Sequence, residues 1–259
     1  MKFLLLFLFL LLLWRFWGWQ AARRRAARQR LAEETPRQDE RILPCAACGT
    51  HVPESGGQQA GSRFFCAACA APQGGDWLPD GWLAWARALP SPHFGARPEG
   101  MPVTLVVVHN ISLPPGRFGG EWVEDFFLGR LDARAHPYFA EIAGLQVSAH
   151  LYVRRDGRVV QFVGCDQRAW HAGKSVWQGR ENCNDFSVGI ELEGCDDQPF
   201  EAAQYEALGE LISVLRTRYP LTAVAGHSDI APGRKTDPGP CFDWHRIRAR
   251  CSGLDLPGA

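Results

Sequence analysis

The segment VTLVVVHN, residues 103–110, limits the possible folds of this chain more than any other feature. Its apolar side chains follow one another almost without a break, which is typical of a short strand that is buried on both faces of a sheet. A strand of this kind needs further strands beside it and helices over it. The chain supplies both after residue 81, so the sequence predicts an α/β or α+β fold in which helices pack on a sheet.

Three more segments carry strand patterns. Residues 147–163 predict two strands joined by an Asp-Gly turn. Residues 187–194 alternate aliphatic side chains on one face with acids on the other, namely Ile190, Leu192, Glu191 and Glu193. Residues 223–227 predict a last short strand. Residues 201–218 place apolar side chains on one face of a long helix: Tyr205, Leu208, Leu211, Ile212 and Leu215.

Residues 1–20 are the predicted membrane anchor. The stretch from Phe3 to Trp14 has no charge, and with Arg15 tolerated it extends to Trp19, about 17 residues, which is the lower limit for a spanning helix. Tryptophans followed by arginines are typical of an aromatic belt and a cytoplasmic flank, so the rest of the chain is expected in the cytoplasm. A cleaved secretory signal is the alternative. The arginine run directly after the apolar core and a weak cleavage site disfavour it.

Two CAAC motifs predict a structural zinc site with the spacing of a zinc ribbon or knuckle, held by four thiolates: Cys45, Cys48, Cys66 and Cys69. The remaining cysteines follow no regular spacing and are expected to be small core residues: Cys165, Cys183, Cys195, Cys241 and Cys251. The total of 9 is odd, which argues against a disulfide framework and agrees with a reducing compartment.

The 259 residues, of which 46% are hydrophobic, suit one ordinary globular domain with an appendage. The predicted organisation is an anchor, a basic helix with a linker, a cysteine module, a second linker and the main domain: residues 1–20, 21–44, 45–70, 71–80 and 81–259. The net charge is +0, and the cysteine module contains Arg63 as its one basic residue, so no nucleic-acid partner is expected. No residue of the module indicates a protein partner.

A second candidate metal site lies in the main domain. His109 and His227 each follow an apolar strand pattern, and Asp237 follows in the loop GHSDIAPGRKTDPGP. Two imidazoles and one carboxylate with a vacant fourth position are typical of a catalytic zinc site. Glu191 would take a proton from a water at that site, and Lys235 would stabilise a developing oxyanion. From spacing alone, a packed histidine, a solvated acid and a surface lysine remain open as alternatives.

A series of segments in the main domain, about Gly81 to Arg250, resembles the AmpD-type amidases: SPHFGARP, VVVHNISLPPGRFGG, AHPYFAEIAGLQVSAH, RRDGRVVQFV, RAWHAG, QGRENCNDFSVGIELEG and GHSDIAPGRKTDPGPCFDW. These are zinc-dependent N-acetylmuramoyl-L-alanine amidases of cytoplasmic peptidoglycan recycling. The resemblance implies a mixed sheet flanked by helices, related to phage-type amidases and peptidoglycan recognition proteins. It also implies hydrolysis of the amide bond between the lactyl group of a 1,6-anhydro-muramyl peptide and L-alanine.

The resemblance assigns roles to single residues. It implies that zinc is held by His109, His227 and Asp237, that Glu191 is the catalytic acid and base, and that Lys235 stabilises the transition state. It places four residues at the substrate: Asn110, Tyr138, Trp170 and His171. For His171, packing is an equal alternative, and His150 is expected to be a core histidine with its hydrogen bonds satisfied. Gln146 and Asn182 stand where relatives often carry arginine, which predicts weaker or different recognition of stem-peptide carboxylates.

The leader, the basic run and the cysteine motifs resemble a separate family of short bacterial membrane proteins, so the chain is expected to be a fusion. The leading hypothesis is an amidase anchored in the inner membrane, with its catalytic domain in the cytoplasm and muropeptides as substrate. A sensor that binds muropeptides without hydrolysis is the second hypothesis. An exported amidase that acts on the intact cell wall is the third.

Overall fold

The computed structural model describes residues 41–46, 49–60, 63–67, 69 and 76–257. The chain divides into two compact units, one of Met1–Leu43 with Pro53–Ser55 and one of Pro44–Val52 with Gly56–Ala259. In the described part of the first unit, Arg41 and Glu54 form an exposed ion pair at 2.8 Å. The predicted anchor and most of the basic segment lie outside the described residues. Among the residues that are described, no helix has the length and apolar character needed to cross a membrane.

The strands of the described residues are β1 Ile42–Pro44, β2 His51–Pro53, β3 Gly57–Ala60, β4 Arg63–Cys66, β5 Arg87–Ala88, β6 Phe94–Gly95, β7 Leu105–Ile111, β8 Leu151–Val153, β9 Val159–Gln161, β10 Arg168–Ala169, β11 Val176–Trp177, β12 Arg180–Glu181, β13 Ser187–Glu193 and β14 Ala223–Gly226. The α-helices are α1 Trp122–Phe127, α2 Pro137–Ile142, α3 Ala202–Arg218, α4 His227–Ile230 and α5 His245–Arg248. Short 3₁₀ helices lie at Glu54–Gly56, Pro79–Gly81, Cys183–Asp185 and Ala249–Cys251.

The central sheet has six strands in the order β14-β7-β13-β8-β9-β5. β14, β7, β13 and β8 run parallel to their neighbours, whereas β8 and β9 are antiparallel, so the sheet is mixed. The antiparallel pair is the predicted strand pair within residues 147–163, and Gly157 in its turn has a φ of +83°. In β7, the side chains of Leu105, Val106, Val107 and Val108 are 0% exposed, which confirms the prediction of a strand covered on both faces.

Helix α3 covers one face of this sheet. Glu201 and Gln204 close its first turn with a capping box, in which the Glu201 N–H donates to Gln204 Oε1 at 3.0 Å. The predicted apolar stripe of the helix is buried in one cluster with the aliphatic side chains of β13, Ile190 and Leu192. Because alternate side chains of a strand point to opposite faces, Glu191 and Glu193 face away from α3.

The first described part of the second unit contains the hairpin of β3 and β4, whose strands pair antiparallel. Phe65 of β4 is 1% exposed and belongs to the same buried cluster as Leu83 and Val159. The predicted linker at residues 71–80 is described only from Asp76 onward. The predicted domain boundaries stay predictions.

The scattered cysteines divide into two groups. Cys165, Cys183 and Cys251 are fully buried, as expected for small core residues. The same prediction is wrong for Cys195 and Cys241, which are half-buried. Both lie in loops that line surface depressions, so part of each side chain faces solvent.

Candidate active site

His109, His227 and Asp237 meet at one point. His109 lies inside β7, whereas His227 is the first residue of α4, directly after β14, and not the end of a strand as predicted. Asp237 comes from the following loop, which is tied back to α4 by a hydrogen bond from the Ser228 N–H to the Asp237 carbonyl at 2.9 Å. Asp237 Oδ2 lies 3.0 Å from His109 Nδ1 and 3.1 Å from His227 Nδ1.

The donor set fits a metal ion. The two Nδ1 atoms are 3.0 Å apart, and one ligand atom of each of the three residues lies within 4.8 Å of the others. Around a tetrahedral zinc with Zn–N distances near 2.0 Å, ligand atoms are about 3.3 Å apart. His227 Nε2 lies 3.1 Å from the Ala172 carbonyl, which can only accept, so this nitrogen carries the proton and Nδ1 offers a lone pair to the centre.

Burial and neighbouring side chains determine the protonation states of His109 and Asp237. Desolvation lowers the pKa of His109 to about 4, so the ring is neutral at pH 7 as a metal ligand must be. Burial opposes ionisation of Asp237, but its close contacts with the His109 and His227 rings outweigh it and hold the pKa of this carboxyl well below its usual value. The site therefore offers a neutral His109 imidazole and an ionised Asp237 carboxylate beside the His227 ring.

Glu191 is the second element of the site. The parallel register pairs Glu191 of β13 with His109 of β7, so the two side chains are neighbours on the same face. Glu191 is 8% exposed, and its Oε2 atom has no hydrogen-bond partner within the described residues. Burial, and next the charge of Asp237, raise the pKa of Glu191 well above its usual value, while Lys235 acts in the opposite direction. A carboxyl group whose pKa is raised in this way can act as both an acid and a base.

These groups open into a cleft of about 620 Å³, which also contains Lys235. Lys235 is exposed and lies two residues after Gly233. The φ of Gly233 is +75°, the left-handed conformation that glycine adopts most easily. Its backbone N–H donates to the Ala231 carbonyl at 3.1 Å. The structure thus brings five of the expected site residues to one cleft: His109, Glu191, His227, Lys235 and Asp237.

The four residues expected at the substrate also line the cleft, but their contacts differ. Asn110 Nδ2 donates to Asp196 Oδ1 at 2.7 Å and to the Pro238 carbonyl at 3.1 Å, so this side chain holds the loop of Asp237. Tyr138 in α2 and Trp170 after β10 are half-buried cleft walls. Both ring nitrogens of His171 are engaged by protein atoms, at 2.9 Å and 3.2 Å.

Gln146 and Asn182 are exposed, and neither lines the cleft. Asn182 has a φ of 59° and a ψ of 60°, the left-handed conformation that asparagine tolerates better than most residues. Its identity therefore has a local backbone reason. His150 is 0% exposed and accepts from the Gly189 N–H at Nδ1, 3.0 Å away, which confirms the prediction of a core histidine.

Sequence reasoning missed the apolar wall of the cleft and a cation beside it. The wall comes from α1, α2 and the segments that follow them: Phe126, Phe127, Ile142, Leu145 and Val147. Helices of 6 residues are too short to give a periodic signal. Arg234 donates to the carbonyls of Ala172 and Lys174 at 2.8 and 2.7 Å, so it fixes the same carbonyl that orients His227.

The cysteine module places three of its four predicted ligands together. One Sγ atom each of Cys45, Cys66 and Cys69 lies within 4.8 Å of the others. The fourth predicted ligand, Cys48, lies outside the described residues. Soft thiolates in this number are ligands that zinc prefers.

A mixed sheet that sets two histidines and a carboxylate beside a buried glutamic acid is the arrangement of a metal-dependent hydrolase. The family model of the N-acetylmuramoyl-L-alanine amidases, Amidase_2, matches residues 99–240, and the chain belongs to this family. The matched range contains His109, Glu191, His227, Lys235 and Asp237. The chain is therefore an N-acetylmuramoyl-L-alanine amidase.

Individual members of the family are similar to this chain over most of their own length. AmpD of Citrobacter freundii, a 1,6-anhydro-N-acetylmuramyl-L-alanine amidase, is 59% identical over 174 residues, which are 66% of this chain and 93% of the relative. AmpD of Escherichia coli strain K12 is 58% identical over 177 residues, or 68% and 97% of the two chains. A crystal structure of a selenomethionine AmpD derivative is 57% identical, with a TM-score of 0.64, and the match covers 67% of this chain and 98% of that chain.

Proposed function

We propose that this amidase hydrolyses the bond between the lactyl group of 1,6-anhydro-N-acetylmuramic acid and L-alanine, in peptidoglycan recycling. The observation that carries the proposal is Glu191, whose buried carboxyl oxygen beside His109 has no hydrogen-bond partner in the part of the chain that the structure describes. A protein that only binds muropeptides has no use for an acid kept in this costly environment. The relatives named as 1,6-anhydro-N-acetylmuramyl-L-alanine amidases support the choice of substrate.

Zinc is the proposed metal. His109, His227 and Asp237 would hold it, and the remaining position would face the cleft. Bound there, zinc supplies a Lewis acid that makes water nucleophilic at neutral pH and polarises a carbonyl group. A neutral His109 and an ionised Asp237 are the protonation states that this role requires.

The side chains around the metal would carry the proton transfers. Glu191 takes a proton from water as the water oxygen forms a bond to the lactyl carbonyl carbon. The Lys235 ammonium faces the negative charge that develops on the carbonyl oxygen. Glu191 then gives the proton to the amide nitrogen, and the C–N bond breaks. The products are the carboxylic acid of the anhydro sugar and a peptide with a free L-alanine amino group.

The test uses the full chain, zinc-loaded, with 1,6-anhydro-muramyl tripeptide, and mass spectrometry of the products. Free tripeptide is expected from the wild type, and none from Asp237→Ala or after chelation. If the folded, zinc-loaded chain binds the muropeptide and releases nothing, it is a sensor. If it cleaves intact cell wall in preference to the muropeptide, the recycling role is wrong.

Location is part of the same proposal. The apolar run in residues 1–20 and the arginines after it support an inner-membrane anchor with the amidase domain in the cytoplasm. Such an anchor would keep the enzyme where muropeptides enter the cell. A fluorescent protein fused to the C-terminus should be membrane-bound and fluorescent in the cytoplasm. A periplasmic alkaline-phosphatase signal from the same fusion point, or a cleaved leader, would instead support export.

A structural zinc in the cysteine module completes the proposal. The three thiols within 4.8 Å and the CAAC motif that contains Cys48 support a site of four thiolates. Metal analysis of the full chain should find two zinc ions, one of which is lost in Asp237→Ala and the other in Cys45→Ser. If the wild type holds only one zinc and Cys45→Ser retains it, the second site does not exist.

A further inference from the structure

A line of hydrogen bonds leads from His109 away from the cleft into the protein. His109 Nε2 lies 2.9 Å from His171 Nδ1, and His171 Nε2 lies 3.2 Å from Ser187 Oγ. The Ser187 hydroxyl donates to the Cys183 carbonyl at 2.6 Å. His171 therefore stands between the metal-site histidine and a buried serine of β13.

The last hydrogen bond, from Ser187 to the Cys183 carbonyl, determines which atoms donate and which accept along the whole line. The Cys183 carbonyl can only accept, so the hydroxyl proton of Ser187 is used there, and Ser187 Oγ accepts from His171 Nε2. With one proton on each ring, His171 Nδ1 is then an acceptor, and His109 Nε2 must donate to it. This leaves the lone pair of His109 Nδ1 pointing at Asp237 and His227, which is the tautomer that a metal ligand needs.

The surroundings hold His171 in this position. The side-chain oxygen of Asn184 accepts from the backbone N–H groups of His171 and Ala172, at 3.1 and 2.8 Å. The His171 ring lies against Gly189 of β13, where an added Cβ would come within 2.4 Å of the ring. Nothing larger than glycine fits at this position without moving the ring. Ser187, Gly189 and Glu191 lie on one face of the same strand.

We propose that His171 is a positioning residue, which fixes the tautomer and orientation of His109, and that Ser187 does the same for His171. The inference rests on the proposed metal at His109, His227 and Asp237. It differs from the expectation that His171 contacts substrate. Hydrogen-bond partners of metal-bound histidines commonly change metal affinity by about 10-fold to 100-fold when they are removed.

The test measures zinc affinity by competition with a chelator, in the full chain. His171→Leu should bind zinc about 10-fold to 100-fold more weakly. His171→Asn, whose side-chain oxygen can accept at the place of Nδ1, should recover part of the loss. Zinc that Asp237→Ala still binds belongs to other sites, and this amount is subtracted from the zinc bound by each variant. If His171→Leu keeps wild-type zinc affinity and only KM rises, His171 is a substrate contact and the proposal is wrong.

A matched pair of serines controls for lost packing. Ser187 and Ser175 are 0% and 4% exposed, and each donates its hydroxyl proton to a backbone carbonyl, but only Ser187 contacts His171. Ser187→Ala should weaken zinc binding about 10-fold, and Ser175→Ala should leave it unchanged even if both lower Tm. Equal zinc affinities of the two variants would overturn the proposal. Because zinc affinity is measured without turnover, a wild type that binds zinc but cleaves nothing would fail the proposed function alone.

Discussion

Glu191 and Glu193 lie on the same face of the same strand, yet their surroundings differ. Glu193 is 4% exposed and accepts from the backbone N–H groups of Gly119 and Arg155, so its burial is compensated. Glu191 is buried, and one of its carboxyl oxygens has no hydrogen-bond partner among the described residues. An uncompensated acid lowers stability, so its presence in the cleft is best explained by chemistry.

Replacing Glu191 by glutamine should separate activity from stability. Glu191→Gln keeps the shape of the side chain but cannot move a proton, so kcat should fall by about 10²-fold to 10⁴-fold while zinc stays bound. Peptide release followed by chromatography measures the loss. Glu206→Gln, on the exposed side of α3, is the control and should not change kcat. Unchanged activity of Glu191→Gln would remove this residue from the mechanism.

The same variant should alter the dependence of stability on pH. The pKa of Glu191 is raised in the folded state, so its contribution to stability is present below its ordinary pKa near 4.5 and is lost as pH rises through the raised value. A glutamine side chain does not ionise, so Glu191→Gln does not lose stability in this way as pH rises. In metal-free protein, Glu191→Gln should therefore have a higher Tm than the wild type at pH 8, and the difference should disappear at pH 4.5. An equal difference at both pH values would contradict this account.

The buried histidines should make the free energy of unfolding change with pH in the opposite direction. Desolvation lowers the pKa of His109 from 6.5 to about 4, and also lowers those of His150 and His171. Their contribution to stability is present above pH 6.5 and is lost as pH falls. In metal-free Glu191→Gln protein, the free energy of unfolding should drop between pH 6.5 and 4, by up to about 3 kcal/mol from His109 alone. Urea denaturation measures the drop, which His109→Asn should reduce.

At the scale of elements, α1 is fixed by a charged group that its sequence does not reveal. Glu124 is 1% exposed and accepts from Arg154 at 2.6 Å and from Arg87 at 3.1 Å. Arg87 lies in β5, and Arg154 directly follows β8. The carboxylate therefore ties a short helix of the cleft wall to two strands of the sheet.

Glu124→Ala should destabilise the fold by about 3 to 5 kcal/mol, because it leaves the mostly buried Arg154 without its counter-charge. The midpoint of urea denaturation measures this change. Asp132→Ala is the matched control, since Asp132 pairs with Arg134 on the exposed surface and its loss should leave the midpoint unchanged. Similar midpoints for the two variants would show that the buried cluster does not hold α1.

Elements with a long or strong pattern could be predicted, and short ones could not. β7, β13 and α3 follow from apolar runs and from periodicity, and the expected residues of the site follow from the resemblance. The parallel register that sets Glu191 beside His109 joins residues far apart in the chain, and no local pattern encodes it. His227 was expected at a strand end, because the single helical turn of α4 has too few residues to show a period.

At the scale of the molecule, the metal should contribute to folding stability. A ligand that binds only the folded state stabilises it by about 2.7 kcal/mol when its concentration is 100 times Kd. Removal of zinc by a chelator should therefore lower the Tm of the wild type. In Asp237→Ala the decrease should be smaller, by the part that the amidase site contributes. Equal decreases in the two proteins would place the stabilising metal elsewhere.

The order of the sheet also determines when the site can form. β7 and β8 are neighbours in sequence among the sheet strands, but β13 lies between them. During synthesis, His109 therefore emerges from the ribosome long before the strands that flank it in the sheet. The space between β7 and β8 is filled only when residues 187–193 have also emerged. Fragments that end earlier contain no Glu191, His227 or Asp237. A nascent or truncated chain that ends before Asp237 therefore lacks part of the site, and hydrolytic activity is expected only after residues 227–237 have been added.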